Sequence, residues 1–302
     1  MGKSCNLCPR MCGVDRAEGE LGACLMPAVP RVARAALHPF EEPPISGTRG
    51  SGTVFFVGCS LGCVFCQNKS IRAADTGREM DEEALVHLFL ALQERGAHNI
   101  NLVTATHFAD CVASALRVAK PLLHVPVVWN CGGYERVETL RMLEGLVDIY
   151  LPDFKYLSPV LSGAYSHATD YAKHASEALC EMVRQTGAVR YDADGMMISG
   201  TMVRHLVLPG SRADSIAVLE HVASLVNVAD IRLSLMRQYT PTFAPADAPK
   251  NLHRVVTSFE YDAVMARAVD LGFEGFFQGK ESAKDIFTPN FSERDILDEI
   301  FA

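Results

Sequence analysis

The chain has 302 residues, of which 49% are hydrophobic and 21% charged, so a sizeable core can form and wholesale disorder is excluded. Acidic residues outnumber basic ones 36 to 28, for a formal charge of -8, which argues against a broad phosphate-binding surface and against nucleic acid as a partner. No apolar run approaches the roughly 18 residues needed to span a bilayer, and the opening Met1-Gly2-Lys3-Ser4-Cys5 lacks the apolar segment of a signal peptide; the expectation is a cytoplasmic protein with no membrane partner.

The chain begins with a head, residues 1–46, marked by Cys5-x2-Cys8-x3-Cys12-x11-Cys24. In a reducing compartment, clustered thiols point to metal ligation rather than to disulfides. Pro9, Gly13, Gly19 and Gly22 supply the turns that let four ligands converge, and Arg10 is placed to offset thiolate charge. Zinc on four cysteines and a second iron–sulfur cluster both fit this spacing. Gly47-Thr-Arg-Gly-Ser-Gly52 is the nearest thing to a hinge, and it separates this metal-binding extension from one main domain, residues 47–302.

The main domain opens with the apolar run 53–57, a predicted strand that leads into Cys59-Ser-Leu-Gly-Cys63-Val-Phe-Cys66. A helix is predicted over 81–95, a strand over 99–104, a helix over 108–120, a strand over 125–129, a helix over 135–144 and a strand over 147–151. The helix 176–186 precedes a hairpin or irregular stretch near 192–195. The strand 202–208, helix 212–225, strand 231–236, helix 258–271 and a terminal strand over 273–277 follow, and the tail 292–302 carries Ile296, Leu297 and Ile300 at helical spacing. Continuous apolar strands alternating with helices predict an α/β fold with a parallel sheet covered on both faces. Six such units fit a partial, TIM-like (β/α)6 barrel, short of the full eight.

Three cysteines in a C-x3-C-x2-C run directly after a strand carry the chemistry. A cubane iron–sulfur cluster takes four ligands when closed, so three protein ligands leave one iron open. The C-terminal ends of parallel strands are where barrel enzymes place their reacting groups. Gly58 and Gly62 let the backbone fold tightly around sulfur, Phe65 supplies an apolar wall, and the scattered Cys111 and Cys180 read as small buried hydrophobes.

This run, with Gly-Ser-Gly-Thr-Val-Phe-Phe at 50–56, Cys66-Gln67-Asn68, Tyr150-Leu-Pro-Asp153-Phe-Lys155-Tyr156, Arg204-His-Leu-Val-Leu-Pro-Gly210 and Gln238-Tyr239, resembles the radical S-adenosylmethionine (SAM) superfamily, and within it uncharacterised relatives of pyruvate formate-lyase activating enzyme. The resemblance implies a barrel of the radical SAM type and a 4Fe–4S cluster on Cys59, Cys63 and Cys66. It also implies SAM on the open iron, cleaved reductively to a 5'-deoxyadenosyl radical that abstracts hydrogen in a dry pocket. Flavodoxin or ferredoxin is the reducing partner it implies, and the hydrogen donor is either a glycyl-radical protein or a small molecule or peptide. The competing class is a non-catalytic metal scaffold or electron carrier.

Further roles carry across residue by residue. Asp153 and Lys155 match a D-x-K motif in which the lysine approaches the SAM carboxylate and the aspartate faces the ribose or a cation; residues two apart on a strand end point to one side. Arg204 matches an arginine whose fork suits a carboxylate, and His205 faces the other way. Asn130-Cys131-Gly132-Gly133-Tyr134 stands where the activating enzymes have Asp-Thr-Asn-Gly, so Asn130 is expected to hydrogen-bond the cofactor and Cys131 is a candidate substrate-facing thiol. Where those enzymes use Gly-Gly-Glu to bind the SAM amino group, this chain has Val103-Thr104-Ala105-Thr106-His107, which makes Thr104, Thr106 and His107 the expected cofactor-facing side chains. Residues 230–239, including Met236, Arg237, Gln238 and Tyr239, are expected to line the substrate cavity.

Overall fold

Apolar runs buried on both faces cannot sit at the edge of a sheet, and here they form its centre. The computed structural model describes residues 4–72, 76–284, 289–291 and 293–301. In chain order the elements are β1 (Arg31–His38), α1 (Pro43–Ser46), β2 (Ser51–Phe56), β3 (Arg78–Glu79), α2 (Glu82–Glu94), β4 (Ile100–Val103), α3 (Ala109–Ala119), β5 (Val127–Cys131), α4 (Val137–Met142) and β6 (Ile149–Pro152). There follow α5 (Pro159–Ser166), α6 (Tyr171–Thr186), β7 (Arg190–Tyr191), β8 (Met197–Leu206), α7 (Arg212–Leu225), β9 (Ile231–Met236), α8 (Ser258–Asp270), β10 (Gly275–Phe277) and α9 (Ile296–Ile300).

The strands run in the order β10-β9-β8-β6-β5-β4-β2-β1-β3, with β7 paired only to β8. From β2 to β10 every neighbouring pair on this path is parallel, whereas β1 and β3 pair antiparallel. The path has two ends, so this is an open partial barrel, with β10 as a short seventh strand beyond the six predicted units. Strands β2, β4, β5 and β6 are buried at every position, which is why they read as largely apolar runs, with Asn101 and Asn130 as buried amides within them. Among the described residues no helix is long and apolar enough to cross a membrane.

Helix α2 follows its sequence signals closely. The Asp81 side chain accepts from the Ala84 amide, Glu82 and Glu83 occupy the first turn, and Leu85, Leu88, Phe89 and Leu92 are buried. Each such side chain contributes about 1.5–3 kcal/mol on burial. In the tail, Ile296 and Leu297 join the same core, as the helical spacing predicts; Ser292 and Ala302 lie outside the described residues.

Four elements escape the sequence reading: strands β1 and β3 and helices α1 and α5. Strand β1 belongs to the stretch assigned to the head, yet it pairs along most of its length with β2, so the sheet continues across the division at 46/47. Its direction matters for the site. His38 lies opposite Ser51 and Val32 opposite Phe56, so the chain leaves β1 at the end where the parallel strands begin. Residues 39–46 then cross that end. Ser46 Oγ donates to the His38 carbonyl at 3.0 Å and accepts from the Glu41 amide at 2.9 Å, while Asn99 Nδ2 donates to the Ile45 carbonyl at 2.7 Å. They form a floor under the barrel, and the cysteine loop after β2 lies at the opposite end.

Candidate active site at the strand C-terminal ends

Cys59, Cys63 and Cys66 are free thiols in the wall of one cavity of about 200 Å³ at the barrel mouth. Gly62 makes the tight turn between them: its φ of +64° lies in the left-handed region, and a Cβ there would stand 2.6 Å from the Arg72 guanidinium. The Leu61 amide points at Cys59 Sγ at 3.4 Å, and Cys63 Sγ lies 2.9 Å from Ser166 Oγ. Burial pushes the Cys66 thiol up to about 12, reinforced by the charges of Cys63 and Cys59. Cys63 is raised by burial against the pull of Lys155. Cys63 and Cys66, which burial and neighbouring thiols make hard to ionise, suit a cationic iron centre that neutralises them, with Cys59 beside them in the same wall. Among the described residues no three His, Cys, Asp or Glu side chains are already drawn together as a metal-holding group. Phe65 is buried in the same wall, edge-on to Tyr165 and Tyr239 with ring centroids 6.2 and 6.1 Å away.

The predicted cofactor-facing residues on the central strands converge. Asp153 and Lys155 pair with each other, and Asp153 Oδ1 also accepts from Arg204 Nε at 3.0 Å. Arg204 reaches Asn130 Oδ1 and, at 3.3 Å, Glu41 from the floor, whose other oxygen accepts from Asn101 at 3.0 Å and Asn130 at 3.3 Å. Burial alone would raise Asp153, but Arg204 and then Lys155 outweigh it and hold the carboxyl below its ordinary value. Lys155 is pushed up in turn, because Asp153 outweighs its burial. Tyr171 fixes the motif: its hydroxyl accepts from the Lys155 amide at 2.9 Å and lies 2.8 Å from the Asp153 and Gly132 carbonyls. Gly133 is required beside it, since a Cβ would stand 2.1 Å from the Asp153 carbonyl oxygen.

After β4 the outcome is mixed. Thr104 and Thr106 line the cavity. His107 does not: it is 1% exposed, its Nε2 is 2.7 Å from the Val57 carbonyl, and its ring packs on Phe108 at 4.3 Å. Burial lowers it to about 4, so it is a neutral packing residue. The expected strand alternation fails because Thr104 has a φ of +59° and residues 106–108 turn as a short 3-10 helix. His205 is likewise packed, 2.6 Å from the Phe154 carbonyl. Met236, Gln238 and Tyr239 line the cavity as expected, whereas Arg237 is buried away from it, donating to Ser258 Oγ at 3.1 Å and lying over the Tyr261 ring, and Cys131 is buried at the cavity's edge. Cys111 is half-buried, and Cys180, expected inside, is exposed, because its helix α6 turns that face to solvent.

Sequence reasoning missed Glu41, Glu42 and Glu135. Glu135 lines the cavity, and its Oε1 accepts from Thr106 Oγ1 at 2.6 Å. Burial, opposed by that bond, raises it from 4.5 to about 7. The folded protein therefore holds a proton that the unfolded chain has lost between pH 4.5 and about 7, and stability falls as pH rises through this window, by up to about 3 kcal/mol. Glu135→Gln is expected to remove that decline, read as a urea midpoint that drops less between pH 5 and pH 8 than in the parent protein.

The head packs beside this mouth. Cys5, Cys8, Cys12 and Cys24 are free, the Ala23 amide lies 3.3 Å from Cys12 Sγ, and a Cβ at Gly22 would meet Cys12 Sγ at 2.9 Å. Burial pushes Cys8 up to about 12, with Cys24 and Cys12 adding to it. The cation near these thiols is Arg16, 3.8 Å from Cys5 Sγ, and not Arg10. Arg10 instead donates to the carbonyls of Ser60 at 2.8 Å and Ser166 at 3.0 Å and stacks over Tyr134, tying the head to the cysteine loop.

An open parallel barrel with three thiols at its mouth above a buried ion network defines a cofactor-dependent site. A family model described as the radical SAM superfamily matches residues 53–216, more than half of the chain, and the chain belongs to that superfamily. It is accordingly an enzyme whose cofactors are a 4Fe–4S cluster and SAM. An uncharacterised protein of Methanocaldococcus jannaschii is 26% identical over 274 residues, covering 88% of this chain and 74% of that protein. The crystal structure of methylornithine synthase is similar over 79% of this chain and 73% of that one, with a TM-score of 0.45 and 12% identity, too distant a likeness to bear on substrate.

Proposed function

We propose that the chain cleaves SAM reductively at a cluster held by Cys59, Cys63 and Cys66 and uses the radical formed to take a hydrogen atom from a substrate. One observation carries this reading: three free thiols share a cavity wall with Asp153, Lys155 and Arg204 at the strand C-terminal ends. When bound, the cluster supplies one electron to the SAM sulfonium, giving methionine and a 5'-deoxyadenosyl radical. The chain's own residues bind and orient. Lys155, kept charged by Asp153, receives a carboxylate, and Asn130 and Thr104 offer hydrogen-bonding groups beside it. Phe65, Leu61 and Tyr239 exclude water from the reacting region.

The motifs shared with activating enzymes support a glycyl-radical protein as one acceptor and a flavodoxin or ferredoxin as electron donor, in a cytoplasmic setting. Cys5, Cys8, Cys12 and Cys24 serve as a second centre in this reading, holding zinc or a further cluster. The test is electron paramagnetic resonance and product analysis on protein reconstituted without oxygen. SAM should change the spectrum of the reduced cluster and be converted to 5'-deoxyadenosine. An unchanged spectrum with no product would leave the scaffold or electron-carrier class in its place. In a Cys59/Cys63/Cys66 triple-alanine variant, retained iron would mark a cluster in the head and retained zinc a structural site.

A further inference from the structure

Beneath the cysteine-lined cavity lies a second one of about 320 Å³ inside the barrel. The two share Asn68, Asn130, Arg204, Met236 and Gln238 as common wall, so whatever fills the second borders whatever fills the first. Its lower end is made by the floor segment. Among the described residues its ionisable lining besides His38 is Glu41, Glu42 and Arg204, two carboxyls against one guanidinium, and burial raises both carboxyls above their ordinary value with Arg204 opposing it, so a further cation is needed for both to ionise. The positive one is not wholly available, because Arg204 is also bound to Asp153, 3.0 Å away. Lys155 belongs to Asp153, and His38, the remaining titratable group in the wall, is kept neutral by burial. The second cavity is therefore short of positive charge.

It also leaves one carboxyl oxygen unpartnered. Glu41 has its lone pairs engaged by Arg204, Asn101 and Asn130. Glu42 Oε2, in contrast, is buried without a hydrogen-bond partner, as is Asn68 Oδ1 in the shared wall. A buried carboxyl oxygen left alone is destabilising, since its water is lost and nothing replaces it. What would satisfy it is a ligand group that carries N–H donors and a positive charge. The wall mixes apolar side chains, Phe40, Phe55, Phe276 and Met236, with the polar Gln67, Ser234 and Gln278, and its aromatic part offers contact to a short hydrocarbon body.

We propose that the second cavity binds the hydrogen donor of the reaction, and that this donor is an aliphatic molecule or side chain ending in a protonated amine, seated on Glu42 and Glu41 with its hydrocarbon portion beside the shared wall. That the occupant is the hydrogen donor rests on the function proposed above; that the cavity selects ammonium does not. Glu42 supplies the unpaired acceptor, Glu41 the fixed second charge, and Arg204 limits the net demand to one cation. An anionic substrate would meet two carboxylates, and a neutral one would leave the charge unmatched.

The experiment is calorimetric titration of reconstituted protein in the presence of SAM with three probes of one chain length, n-hexylamine, 1-hexanol and hexanoate. The amine is expected to bind at least tenfold more tightly than the alcohol, hexanoate more weakly still, and the amine preference should vanish in Glu42→Gln. Equal binding of amine and alcohol, tighter binding of hexanoate, no binding of the amine, or an amine preference that survives in Glu42→Gln overturns the proposal. The comparison of probes in the parent protein stands even if the variant does not fold. Resonance spectra of the same samples keep the two readings apart: amine selectivity with a cluster spectrum that SAM leaves unchanged would refute the radical reaction and retain the ammonium site.

Discussion

Cys63→Ala is expected to lose the iron of the cysteine loop and to cut 5'-deoxyadenosine formation roughly a thousandfold or more, about 4 kcal/mol of barrier. The reason is numerical as well as chemical. Three thiols are the minimum that hold a cubane with one iron open, and no spare cysteine follows Cys66 in the loop. A structural role predicts the opposite pattern. Cys63 Sγ faces Ser166 Oγ at 2.9 Å, and Ser166 Oγ lies 2.9 Å from Tyr156 Oη, so a packed thiol removed from this spot would lower stability by about 1 kcal/mol and leave iron in place. Iron per chain, product by chromatography and the urea midpoint of metal-free protein separate the two. Cys131→Ala, buried beside the same cavity, should keep its cluster-loop iron.

Arg204→Gln is expected to destabilise the protein by about 3–5 kcal/mol, the cost of leaving buried carboxylates without their partner. Arg204 is 15% exposed, Asp153 15% and Glu41 10%, so solvent screens them little. Burial disfavours the charge on Arg204, and Asp153, Glu42 and Glu41 together outweigh it. The pH dependence has a definite sign. Without the guanidinium, the folded-state value of Asp153 rises above that of the unfolded chain and that of Glu41, already raised by burial, rises further, so the variant loses stability as pH rises from about 4 towards neutrality. Urea unfolding at pH 4 and pH 8 checks this: the gap between variant and parent should be wide at pH 8 and narrow at pH 4. Glu41→Gln added to Arg204→Gln should recover part of the loss at pH 8.

The parts of this molecule that were legible in the sequence are those whose signal is local. Strand β2 and the loop behind it read directly, because an apolar run and a C-x3-C-x2-C spacing lie within a dozen residues of each other. Asp153 and Lys155 could be placed in one wall for a similar reason: two residues apart at a strand end, they share a face. His107 misled because one left-handed residue, Thr104, breaks that parity. Glu41 and Glu42 carried no local signal. Two acids before two prolines look like a solvated turn, and only the antiparallel course of β1 delivers them beneath the barrel. Glu135 reads as an ordinary acid at a helix start, although it lies two residues before α4 and faces Thr106.

The contact between Glu41 and Arg204 spans 163 positions of sequence. During synthesis the floor carboxylates emerge early, while the guanidinium that makes their burial tolerable emerges only with β8. A partial chain ending before β8 cannot close its lower end without stranding charge, so those residues must stay hydrated and the nascent barrel must stay open. Closure of the barrel's lower end is thus expected to follow synthesis of β8, because it waits on a long-range pairing.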